Sequence, residues 1–379
     1  MPRQLLFLPG PVMVAQPVLE AAALPLINHR GEEFARMLER LEHALAPAFG
    51  TTQSVVLLGS SGTGGLEAVI TNLLSPGERV LSCAVGAFGI RFAELARAYG
   101  CIVESLQTPL GSAVDPAALQ SRLQDDRARE IAAVLLTHNE TSTGVACDMA
   151  ALAPMLRAHG AISLVDSVSG LGASEFRMDE WGYDAVVTAS QKGFAAPPGV
   201  AMVALSARAW ERTRDASAPR YYFDLQRARE FARGGETPWT PPISILYALD
   251  VALQRYNAQG AATAYARHER YAMRVRETLE LMGFTLVSRP GAHSPTVVAA
   301  YPPPGHDPKN LLRRLREKHG VVLAGGQGEL TGKIVRFGTM GDVNENDITR
   351  ALDAIALELL ISGAAESTAS RTVARTKES

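Results

Sequence analysis

The 379 residues carry 37 Lys and Arg against 39 Asp and Glu, a net charge of −2, with 47% apolar and 20% charged side chains. That balance suits an ordinary soluble globular chain able to bury a sizeable core, and it excludes the basic field that gathers nucleic-acid phosphates. The apolar runs are too short for a membrane span, and the stretch before Pro9-Gly10-Pro11 does not read as a secretory leader, so a cytoplasmic protein is expected.

After the Pro9-Gly10-Pro11 turn signal, Phe34, Met37, Leu38, Leu41 and Leu45 recur at helical spacing and predict an amphipathic helix over 32–48. Seven short apolar runs follow, at 54–58, 79–83, 102–106, 131–137, 161–166, 185–189 and 200–205. Several lack the polar alternation of a half-exposed strand, which predicts burial on both faces. Helical patterns at 90–99, 116–123 and 149–159 lie between them. The expected fold class is α/β, a large domain with a mostly parallel seven-stranded sheet flanked by helices, its ligand at the carboxyl ends of strands.

Gly-Gly, Trp239 and three prolines break every period over 234–242. Helices at 243–256 and 264–281, strands at 284–287, 296–300, 321–323 and 333–337, and helices at 308–318 and 345–360 then predict a smaller C-terminal α+β domain. The expected division is an N-terminal segment 1–20 near the active site, a large domain 21–255, a small domain 256–362 and a disordered tail 363–379. Cys83, Cys101 and Cys147 have no CxxC spacing and read as small buried hydrophobes.

The chemistry gathers at predicted strand ends. Lys192, in Ser190-Gln191-Lys192-Gly193, has little reason to stand there for solubility. A desolvated lysine in that setting can form a Schiff base with pyridoxal phosphate (PLP) and shuttle protons; the bland alternative is a snorkelling surface lysine. Asp166 closes another run, where its carboxylate could keep a pyridinium nitrogen protonated or merely cap the turn that follows. Gly59 to Gly65, with Ser61, Gly62 and Thr63, can turn backbone N–H groups toward a phosphate ahead of a helix, although a glycine turn can also be structural. It has neither the Walker ending nor the dinucleotide GxGxxG spacing. Phe88 could stack on a flat ring or pack as core. Arg336, between apolar neighbours on a predicted strand, could clamp a substrate carboxylate or form a structural ion pair. No spacing of His, Cys or Asp resembles a metal site.

Taken in order, Pro9-Gly10-Pro11, Ser61 to Gly64, Thr137 to Gly144, Asp166-Ser167-Val168, Ser190 to Gly193, Thr240-Pro241-Pro242 and Gly325 to Gly341 resemble the class V, fold-type I PLP-dependent aminotransferases. The resemblance is greatest to the serine–glyoxylate and alanine–glyoxylate group. It implies that Lys192 holds PLP and Asp166 contacts its ring nitrogen, that Phe88 stacks on the ring, and that Ser61, Gly62, Thr63 and Gln191 hold the phosphate. It further implies that Thr141 bonds the ring hydroxyl and Arg336 the substrate carboxylate, with Pro9, Gly10 and Pro11 nearby. Thr240 is expected to reach the cofactor phosphate of a neighbouring subunit, which makes the active unit a homodimer with shared sites. Thr237 stands where some relatives carry a tyrosine. The implied reaction is transamination between serine, alanine or aspartate and glyoxylate or pyruvate. A 2-aminoethylphosphonate or ureidoglycine aminotransferase, a phosphate-ligand-binding protein and a catalytically silent homologue remain alternatives. A cysteine desulfurase would need a mobile nucleophilic cysteine, which none of the three predicts.

Overall fold

A computed structural model describes residues 4–377, except for the side chains of 362–377. The expected tail from 363 onward lies outside the fully described residues. All seven apolar runs form one sheet in the order Val55–Leu58, Ala201–Leu205, Ala185–Ala189, Ile162–Asp166, Ile131–Thr137, Arg79–Cys83, Ile102–Ser105. Only Ala201–Leu205 runs antiparallel to its neighbours. The reversal is made by the short return from Lys192 through Gly199, and an apolar run by itself carries no direction.

Both faces of this sheet are covered except at the edge strand Ile102–Ser105, which is why most of its strands read as nearly unbroken apolar segments. Alternate side chains go to opposite cores. Val134, Leu136, Val165 and Val186 pack under Phe34, Leu41, Leu45 and Leu249. Ala133, Leu135, Leu164 and Val187 pack under Leu66, Val69, Ile70 and Phe92. Full burial of such a side chain stabilises by about 1.5–3 kcal/mol, so the sheet is a rigid floor for whatever stands at its strand ends.

A second sheet has the order Leu5–Phe7, Val321–Gly325, Val335–Gly338, Val297–Tyr301, Thr285–Leu286. Its first strand, three residues long and too short for a periodic signal, comes from the N-terminus and pairs in parallel with Val321–Gly325. Phe7 and Phe337 meet there with ring centroids 4.6 Å apart. The chain then leads through Pro9-Gly10-Pro11 directly to Lys192, whose Nζ donates a 2.6 Å hydrogen bond to the Pro9 carbonyl.

Several helix starts carry side-chain caps: Asp115, Asp148, Asp224 and Asp307 each accept from a backbone N–H in the first turn. Gly62–Leu73 and Ala87–Ala98 begin at Ser61 and Gly86 without such a cap. Ala87–Ala98 starts three residues earlier than its periodicity suggests, which places Phe88 in its first turn. A two-stranded hairpin of Asn139–Glu140 and Val145–Ala146, unseen in the sequence pattern, shapes the loop after Ile131–Thr137.

Candidate active site

The carboxyl ends of the parallel strands converge on Lys192. Ala189 ends its strand, and the chain turns through Ser190 and Lys192, with Ser190 Oγ donating to Pro197 O at 2.6 Å. Ala195 closes the turn at φ 54, a left-handed conformation that a non-glycine residue adopts at a cost of roughly 1–2 kcal/mol. Strain of this kind persists only where the surroundings over-determine it. Gly10, at φ 127, lies against Lys192 so closely that a Cβ there would fall 2.5 Å from Nζ. Burial holds the Lys192 amine down at about 8, against the opposing pull of Asp166.

Asp166 is buried, and burial raises its carboxyl to about 6 even though the Val168 N–H donates to Oδ1 at 2.9 Å. Arg336 is 6% exposed and lies on the small sheet, facing the loop after Ile131–Thr137. Its Nε donates to Gly325 O at 2.6 Å, and its Nη1 donates to Thr141 O at 3.0 Å and Gln327 Oε1 at 3.4 Å. All three acceptors are neutral, so the structural ion pair open at the sequence level does not exist among the described residues. Burial lowers this guanidinium to about 10.

Gly62 brings the start of Gly62–Leu73 against the Asp166 turn; a Cβ there would meet Val168 Cγ2 at 2.7 Å. Ser61 is exposed and Thr63 partly so, and both stand at the positive end of that helix. Gln191 Oε1, next to Lys192, is buried without a hydrogen-bond partner. Phe88 is partly buried, with the Arg91 guanidinium 4.8 Å from its ring centroid. Thr141 is buried and engages Arg336 through its carbonyl. Thr240 stands apart from this group: it is exposed, beside Gly59, Tyr222 and Trp239 in a small apolar hollow. Thr237 Oγ1 donates within its own turn to Trp239 O at 2.8 Å.

These features suit PLP. An amine with a lowered pKa, a buried carboxylate to face a ring nitrogen, a helix start free of a side-chain cap, and an orphaned amide beside the amine are the donor set that cofactor needs. The cysteines offer no rival nucleophile. All three are buried and free, and desolvation raises Cys101 and Cys147 to about 11.

Three buried polar residues of the Thr137 to Gly144 segment were given no individual role by the sequence, His138 carrying no distinct signal there. Glu140 is fully buried among backbone N–H donors, and it is the only acid between Ile131 and Cys147, the one signal that could have drawn notice. His138 Nδ1 lies 2.9 Å from Ser167 Oγ, and burial lowers its imidazole to about 4, so it is neutral. Asn139 ties the two sheets together: its Nδ2 donates to Ser169 Oγ and Thr296 Oγ1, and its Oδ1 accepts from Ser294.

The family model for class-V aminotransferases matches residues 19–349. The chain belongs to that family, the PLP-dependent transaminases of fold type I. Within it the chain lies near the glyoxylate aminotransferases. It is 39% identical to L-aspartate–glyoxylate aminotransferase of Paracoccus denitrificans over 345 residues, 90% of this chain and 87% of that one. It superposes on alanine–glyoxylate aminotransferase from Nostoc sp. with a TM-score of 0.90 and 30% identity, covering 95% of this chain and 96% of that one. It is also 36% identical, over 93% of its length and 92% of the relative's, to a Synechococcus protein named soluble hydrogenase, small subunit.

Proposed function

We propose that the protein transfers the amino group of a small amino acid, serine, alanine or aspartate, to glyoxylate or pyruvate. The observation that carries this reading is Arg336: a buried guanidinium bonded only to neutral acceptors, in the same site as a desolvated lysine. A carboxylate arriving from solution supplies the missing anion, and a bidentate clamp fixes its orientation. Among the described residues no three His, Cys, Asp or Glu groups gather where they could hold a metal ion.

Lys192 would hold PLP covalently, Asp166 would meet its ring nitrogen, Phe88 would cover a ring face, and Ser61, Gly62, Thr63 and Gln191 would hold its phosphate, with Thr141 toward the ring hydroxyl. When bound, PLP supplies a sink for the electrons left at the substrate α-carbon. Arg336 binds the substrate carboxylate and orients the Cα–H bond. Lys192, released from the cofactor when the substrate's own amine takes its place there, would take the α-proton, and burial, which holds its pKa at about 8, makes the neutral amine accessible near physiological pH. The Pro9 carbonyl, which accepts from Nζ, keeps that amine in place. Segment 21–255 would supply the cofactor residues and 256–362 the carboxylate clamp, with 1–20 closing over Lys192. Thr240 would serve the phosphate of a second copy, which makes the working unit a homodimer.

The test offers serine, alanine and aspartate singly, with glyoxylate or pyruvate, to the purified PLP-loaded protein. The expected result is a 2-oxo acid and a new amino acid in equal amounts from at least one pair, abolished in Lys192→Ala. Failure with every pair would overturn the substrate assignment.

A further inference from the structure

Glu140 has no part in the chemistry described so far, yet it is the charge most completely enclosed by the site. Its side chain is 0% exposed. Oε2 accepts from the N–H groups of Phe88 and Gly89, both at 3.0 Å, and Oε1 accepts from the Ser142 N–H at 3.0 Å. Ser142 Oγ completes the set by accepting from the Ala87 N–H at 2.9 Å. The first three backbone donors of Ala87–Ala98 are therefore taken up by a loop more than fifty residues away, doing what a local cap does elsewhere in this fold. Space is shaped for this contact: a Cβ on Gly86 would lie 2.5 Å from both Glu140 Cγ and Ser142 Oγ.

Two site residues hang on this joint. Phe88 is itself one of the donors. Thr141, between Glu140 and Ser142, gives its carbonyl to Arg336. Resting on the PLP reading of the site, we propose that Glu140 is a positioning residue. It docks the Phe88 turn onto the 139–144 loop and so fixes the ring-covering side chain and the Arg336–Thr141 contact as one unit. Both of its oxygens accept from N–H groups, so a carboxylate is required and an amide of the same shape does not replace it. In Glu140→Gln one oxygen remains, and the NH₂ group turns donor against donor. Burial raises the Glu140 carboxyl and the hydrogen bonds from Ser142, Gly89 and Phe88 hold it down; ionised, it opposes the lowering of the Lys192 and Arg336 pKa values and adds to the raising of Asp166.

Cofactor-free wild type, Glu140→Gln and Ser142→Ala would be titrated with PLP. The dissociation constant, the visible circular dichroism of the bound cofactor, and kcat and KM for the amino donor would be read for each. Glu140→Gln should bind PLP roughly 10- to 100-fold more weakly, with a diminished visible dichroic band and a raised donor KM. Ser142→Ala, losing one acceptor, should move every readout the same way by a smaller factor. A Glu140→Gln protein with the wild-type dissociation constant and dichroic band would overturn the inference while leaving the site reading intact. Should that variant not fold, unchanged values in folded Ser142→Ala would overturn it equally. A wild-type protein that takes up no PLP would bring down the site reading and this inference together.

Discussion

Arg336 and Asp166 are each held in a charge state that burial opposes, and each is therefore a place where one substitution has a calculable consequence. In its proposed role Arg336 makes charge-assisted hydrogen bonds to the substrate carboxylate, each worth about 1.5–3 kcal/mol, which Arg336→Ala would take away. kcat/KM for the amino donor should fall at least about 100-fold, with PLP binding close to wild type. An unchanged KM for every donor would remove Arg336 from substrate binding. Asp166 works through linkage. Burial raises its carboxyl from 3.8 to about 6, with Glu140 adding to the rise and Lys192 and Arg91 opposing it. The folded state thus binds more protons than the unfolded state between those values. Its stabilising contribution is complete below about pH 4 and is lost as pH rises through 6. In cofactor-free protein, wild-type stability relative to Asp166→Asn should fall by about 2 kcal/mol from pH 4 to 7, measured by urea unfolding at each pH. A constant difference would contradict that burial.

Among the elements, Gly62–Leu73 and Ala87–Ala98 both point their N-termini toward the strand ends and treat their unpaired donors differently. Glu140 and Ser142 consume those of Ala87–Ala98, whereas no side chain caps those of Gly62–Leu73, the donors proposed for the cofactor phosphate. Close packing is what places that second helix. In Gly62→Ala the new Cβ meets Val168 Cγ2 at 2.7 Å, so helix and Asp166 turn must separate. Overpacking of this kind costs about 1–3 kcal/mol. The variant should lose stability in chemical denaturation and bind PLP and free phosphate more weakly; wild-type values for both would show that the turn has slack. The sequence exposed the glycine-rich start of Gly62–Leu73 because glycine, serine and threonine cluster there. It hid the start of Ala87–Ala98 because Glu140 is distant in the chain.

At the scale of the whole molecule, Lys192 lies in the turn after a strand of the large sheet and Arg336 on a strand of the small one, and the candidate site lies where the two meet. Asn139, Ser169, Ser294 and Thr296 form a buried polar seam between them. Thr240 lies outside that meeting place, exposed beside Tyr222 and Trp239, whose rings stack at 6.0 Å, with Tyr221 71% exposed nearby. A second copy covering this face would account for so much aromatic surface. Sedimentation should give a particle of twice the chain mass, and Thr240→Ala should weaken PLP retention without dissociating it. A fully active monomer would sink the shared-site arrangement.

The sequence by itself determined the seven strands of the large sheet, the burial of most of them on both faces though not of the edge strand Ile102–Ser105, and the lysine, aspartate and arginine proposed for the site. Those properties are local: an apolar run is buried wherever it goes, and a charged residue at its end is conspicuous by position. Tertiary structure alone decided that Ala201–Leu205 runs backward, that Leu5–Phe7 joins the small sheet, that Arg336 has no internal counter-ion, and that Glu140 caps a helix far from it in the chain. Direction, pairing and the partner of a buried charge are relations between distant segments, and they take form only when the chain closes on itself.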